Sequence, residues 1–65
     1  MLPDLEEIVR AWFANPTTET DRAFVHATSG FEGYLLPSGR ITLDPSEHNA
    51  SWLAWAKADA AKRRP

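Results

Sequence analysis

An α+β fold running helix, helix, β-hairpin, helix (ααββα) is what this sequence predicts, on three observations. Apolar residues recur at helical spacing over residues 4 to 14, Pro37-Ser38-Gly39 stands between two β-prone runs, and Asp44-Pro45-Ser46-Glu47 opens a last helical stretch. With 65 residues, the chain is expected to form one small domain over residues 1 to 65. A lone core of that size contributes about 3–5 kcal/mol of net stability.

The first helix follows from Leu5, Ile8, Val9, Trp12 and Phe13, which fall at i, i+3, i+4, i+7 and i+8 and so share one arc. Glu6, Glu7 and Arg10 point elsewhere, and Glu6 can pair with Arg10 one turn on. Asp4 with Glu7 reads as a cap and its reciprocal partner, and Asn15-Pro16 supplies the stop.

Residues 17 to 30 can be read in two ways. Phe24-Val25-His26-Ala27-Thr28 has the β-branched and aromatic content of a strand, which gives the alternative order αβββα. A short helix is preferred. Thr17 or Thr18 can cap it, Glu19 and Asp21 suit its positive end, and Ala23, Phe24 and Ala27 share a face. Gly30 then suits a left-handed stop.

Tyr34-Leu35-Leu36 and Arg40-Ile41-Thr42-Leu43 flank Pro37-Ser38-Gly39. Pro presets the first turn residue and Gly accepts positive φ, so a hairpin with a bulged turn is expected. A two-stranded ribbon is marginal alone, so one face, Leu36, Ile41 or Leu43 with Tyr34, should lie on the helices.

Asp44 as cap, Pro45 at the first helical position and Glu47 three residues after the cap begin the last helix, expected over about residues 45 to 62. Trp52 lies near the centre of its apolar face, Ala56 and Ala60 follow one and two turns on, and Leu53 and Trp55 sit at opposite edges. Residues 62 to 65 read as a frayed basic tail. The expected core is Trp12, Phe13, Phe24, Phe31, Tyr34, Trp52 and Trp55. Such aromatic area stands in for the disulfides that a chain without cysteine cannot form.

Composition limits the function classes. The absence of cysteine argues against a secreted, oxidised scaffold and thiolate zinc sites, and makes the cytoplasm the expected location. Met1-Leu2-Pro3-Asp4 does not read as a charged leader, and no apolar run approaches the roughly 20 residues needed to span a bilayer. No membrane association is expected. A net charge of -2 is a poor start for holding phosphates, so nucleic acid is an unfavoured partner. The acids concentrate before residue 33, and the basic residues Arg40, Lys57, Lys62, Arg63 and Arg64 come after it.

His26 and His48 are the only imidazoles, too few for a three-ligand catalytic zinc site. Asp44 lies one turn before His48 but is wanted as a cap, and His48 shares a face with Trp52, where it can stack at the core edge. Ser29, Ser38, Ser46 and Ser51 lack a base-and-orienter constellation. Gly30, Gly33 and Gly39 fit turns and match no phosphate loop. Neither an enzyme nor a cofactor is expected.

Arg22-x-Phe24, then Gly33-Tyr34-Leu35, then Trp52-x-x-Trp55 before an alanine-rich stretch resembles a pattern in small accessory proteins of tailed bacteriophages and prophages. The likeness spans about residues 22 to 61. It departs from that pattern at His26 and Ala27, where the family commonly carries Trp, and the first helix lies outside it. The resemblance implies a small protein in a bacterial cytoplasm that binds a host protein, in some cases as an inhibitor.

Protein binding is thus the leading expectation, with Trp55, Glu6, Glu7, Arg10 and Arg40 as the candidate partner-binding residues. Self-association into a homodimer would complete so small a core. The alternative is a winged-helix-like DNA-binding regulator. In it the first two helices, joined through Asn15-Pro16-Thr17, form a helix-turn-helix, with Arg22, His26, Arg40 and the C-terminal basic residues on phosphates.

Overall fold

The computed structural model describes residues 3–30 and 32–64. Its elements run α1 (Pro3–Ala14), α2 (Thr18–Thr28), β1 (Ser29–Gly30), β2 (Gly33–Leu35), β3 (Ile41–Thr42) and α3 (Pro45–Lys62). The strands form an antiparallel sheet in the order β1-β2-β3. The α+β class and the element order agree with expectation, residues 20 to 28 are helical, and β1 is an addition to the expected hairpin.

β1 exists because Gly30 does not terminate α2 by turning left-handed. The helix ends on Ser29 in extended conformation, φ -112° and ψ 153°, and positive φ occurs instead at Gly33 and Gly39. Ser29 and Gly30 leave the helix already in strand geometry and pair with Tyr34 and Gly33. At Gly33 the reason for glycine is steric as well as conformational. A Cβ there would sit 2.7 Å from the Thr42 carbonyl oxygen.

The caps differ from expectation at two helices. α1 begins at Pro3, so Asp4 lies inside its first turn and acts through the helix dipole rather than as the cap. At α3, Asp44 does cap, accepting from the Ser46 N–H at 2.9 Å. Glu47 leaves the reciprocal bond unmade because its carboxylate is drawn to Arg40 and Thr42, at 2.8 and 2.6 Å. At α2 the reciprocal cap is made by threonines. Thr17 Oγ1 accepts from the Thr20 N–H at 3.2 Å while Thr20 Oγ1 accepts from the Thr17 N–H at 2.8 Å.

The hairpin turn has the expected bulged form. Gly39 N–H donates to the Leu36 carbonyl at 2.9 Å and Leu36 N–H to the Arg40 carbonyl at 2.7 Å, with Gly39 at φ 92°. β2 and β3 pair through Tyr34 with Thr42 and Leu35 with Ile41. Side chains alternate across the pleat, so Tyr34 and Thr42 face α3 while Gly33, Leu35, Ile41 and Leu43 line the other face.

Leu5, Val9, Trp12, Phe24, Trp52 and Ala56 form one buried cluster, with Ile8, Phe13, Ala27, Leu35, Leu53 and Trp55 packed around it. Trp12 stacks on Phe24 with ring centroids 4.1 Å apart, and Trp52 meets Phe24 edge-on at 6.4 Å. The expected core needs three corrections. Phe13, Tyr34 and Trp55 are only half-buried. Leu36 is buried, but Ile41 and Leu43 are 45% and 81% exposed, because they belong to the sheet face turned away from α3. Ala23 and Ala60 are exposed. Phe31 lies outside the described residues. α3 ends at Lys62, where Arg63 N–H reaches the Asp59 carbonyl at 3.0 Å.

Candidate functional site

Two polar side chains are buried among the described residues, Thr28 at 1% and His48 at 3% exposure, where α2, β2 and α3 meet. Around the His48 ring, Phe24 covers one neighbouring position at 5.1 Å and Tyr34 another at 4.7 Å between ring centroids. Thr28 Oγ1 lies 2.7 Å from His48 Nε2 and also donates to the Phe24 carbonyl at 2.7 Å. A hydroxyl has one proton, so with that proton on the carbonyl the Thr28 oxygen accepts, and Nε2 must carry the imidazole hydrogen. Burial pushes His48 below its ordinary pKa of 6.5. Burial thus favours the neutral ring, and the ring joins α3 to α2 through Thr28. Trp52, fully buried, is fastened to the sheet by its Nε1–H donating to the Leu35 carbonyl at 2.7 Å.

The candidate residues from the first helix fall into an internal ion cluster. Arg10 makes paired bonds to Asp59 of α3, Nε to Oδ2 at 3.0 Å and Nη2 to Oδ1 at 3.1 Å. It also reaches Glu6 and Glu7, each at 3.2 Å. The Arg10 hydrogen bonds hold the Asp59 carboxyl below its ordinary value of 3.8, against desolvation and with help from Arg63 and Lys62. The same pairing raises Arg10. Trp55 lies beside this cluster, edge-on to Trp52 at 5.6 Å with the Arg10 guanidinium 5.8 Å from its ring centroid. Trp55, Glu6, Glu7 and Arg10 are thus brought together, as the tie between α1 and α3. Arg40 stands apart on the hairpin, largely exposed and held by Glu47.

Open apolar surface lies elsewhere. A groove of about 640 Å³ runs between α1, the end of α2 and the hairpin, lined mainly by Leu5, Ile8, Ala27, Leu35, Leu36 and Pro37, with Asp4 on its rim. Through Ala27 and Leu35 it continues into a hollow of about 390 Å³ that ends at Gly33 and Ile41. None of these groove residues stands out as a partner contact in the sequence. The available signal is that Leu35 and Leu36 are consecutive, which places apolar side chains on both faces of a strand when only one can be covered by α3.

Among the described residues, no three His, Asp or Glu side chains gather closely enough to hold a metal ion, and no helix is long and apolar enough to cross a membrane. The chemistry this surface supports is burial of apolar side chains. Comparison with protein-family models, with curated proteins and with solved structures finds no match to this chain.

Proposed function

We propose that this protein acts by binding a protein partner in the groove between α1, α2 and the hairpin, with no catalytic step of its own. The observation that carries this reading is the groove itself, apolar on its walls and acidic on its rim at Asp4. A pocket of this kind is of the size that takes two or three large side chains. The matching partner segment is apolar, with a Lys or Arg flanking it to meet Asp4. The resemblance to small phage accessory proteins supports a bacterial host protein as that partner, and covering an apolar surface of it would account for an inhibitory role.

Surface charge favours this over the DNA-binding reading. The exposed part of α2 sets Glu19 and Asp21 beside Arg22 and His26, and Arg40 is paired with Glu47, so the cations offered to phosphate are offset by acids.

Capture from bacterial lysate on the immobilised chain, read by mass spectrometry, tests the proposal. One protein is expected in stoichiometric amount. It should be lost with Ile8→Glu and with Pro37→Lys, which alter opposite walls, and retained with Lys57→Glu on the exposed side of α3. Melting curves check that each variant is folded. Failure to capture any protein, or capture indifferent to both groove variants, would overturn it.

A further inference from the structure

We infer that β3 is a self-complementary edge through which two copies of this chain pair antiparallel about a two-fold axis at Thr42. β3 is the terminal strand of its sheet. The Leu36 to Arg40 bond marks one hydrogen-bonded pair of the hairpin. By the alternation of antiparallel ladders the next such pair is Tyr34 with Thr42, so the backbone groups of Ile41 and Leu43 point away from β2. Among the described residues, no hydrogen bond outside the ladder reaches the backbone of either one. Arg40, Ile41, Leu43 and Asp44 are all exposed, and Thr42 is half-buried.

The occupant follows from the order of side chains. Read against its own reverse, Arg40-Ile41-Thr42-Leu43-Asp44 sets Arg40 opposite Asp44, Ile41 opposite Leu43 and Thr42 opposite Thr42. This is the register the outward backbone groups require, since the two Ile41–Leu43 pairs would exchange hydrogen bonds on either side of the central threonines. Asp44 spends Oδ1 on the Ser46 N–H, and its other oxygen is available to the second copy's Arg40, whose Nη2 is on Glu47 and whose other guanidinium nitrogens remain to donate. On the outer sheet face the Ile41 and Leu43 side chains lean over Gly33, with Cγ2 and Cδ2 coming to 3.1 and 3.2 Å of the place a Cβ would occupy. Pairing two copies joins these apolar patches side by side. An isologous contact of this kind closes at two chains. It is small beside the roughly 800 Å² per partner of a standard interface, so it forms at high concentration.

This dimer does not rest on the groove proposed above for a heterologous partner, and the two are separable by experiment. Sedimentation from about 10 μM to about 1 mM should show the weight-average mass rising from one chain towards two. Amide exchange at Ile41 and Leu43 should slow in step. Arg40→Glu sets like charges opposite at both ends, and Leu43→Asp removes an apolar contact from an exposed position. Each is expected to weaken dimerisation at least about tenfold, while Ile8→Glu in the groove leaves it unchanged. Circular dichroism checks folding. A single-chain mass over the whole range, or a dimer equally strong in both edge variants, would overturn the inference.

Discussion

The His48 junction and the β3 edge are built from similar materials and end in opposite states. At the junction, rings from α1, α2, β2 and α3 enclose one another, and Thr28 Oγ1, His48 Nε2 and Trp52 Nε1 are partnered inside the protein. At the edge, Ile41 and Leu43 carry comparable apolar groups into solvent. The difference is one of numbers of layers. Among the described residues, α3 covers the sheet face of Tyr34 and Thr42, while on the other face only the Leu35 end meets the helices and Ile41 and Leu43 stay exposed. In so short a chain the interior is finished on one side, and apolar side chains on the other stay in solvent.

The sharpest way to break this contrast is Phe24→Ala. Phe24 touches Trp12, His48 and Trp52 at once, and deleting a buried ring costs about 3–5 kcal/mol. That equals the whole net stability expected for a core of this size, so a urea titration followed by far-UV circular dichroism should show a chain largely unfolded without denaturant.

Acidification probes the junction through His48 alone. The unfolded chain takes up a proton near the ordinary value of 6.5, whereas burial holds the folded chain's His48 lower. The stability that neutral His48 allows is therefore fully present above that value and is lost as pH falls from it towards the lowered one. Melting temperatures measured between pH about 7.5 and about 5 should decline, and in His48→Phe, where Thr28 keeps its bond to the Phe24 carbonyl, that decline should vanish. Asp59 acts in a separate, more acidic window. Held below 3.8 by Arg10, it contributes stability present above its ordinary value and lost as pH falls below it.

The smallest effect is expected at the edge. Leu43→Ser removes a side chain that is 81% exposed, so at low concentration, where the chain is monomeric, its unfolding free energy should stay within about 0.5 kcal/mol of the parent. A loss of several times that would show Leu43 to be packing within one chain, and the two regions would no longer differ in kind.

Much of the local structure was legible beforehand because it is local. The arc from Leu5 to Phe13, the turn at Pro37-Ser38-Gly39 and the start at Asp44-Pro45 rest on spacing and caps within a few residues. The site was far less legible. Glu6 and Arg10 were visible as a pair, yet the Asp59 that captures Arg10 is 49 residues away, and no spacing rule connects them. Trp55 read as an anchor on the edge of an apolar arc for the same reason, since its neighbour Arg10 belongs to another helix.

By itself, then, the sequence determined the first and last helices, where the hairpin turns, and that aromatic rings would make the interior, because hydrogen-bonding caps and side-chain periodicity act over one or two turns. It left residues 17 to 30 open between helix and strand. Tertiary structure decided the rest. Whether Gly30 ends a helix or opens a strand, whether Ile41 and Leu43 face in or out, and which charges remain free depend on which surface α3 covers. That is set by the packing of Trp52 and His48 against distant elements, a competition for a limited buried volume that no local pattern records.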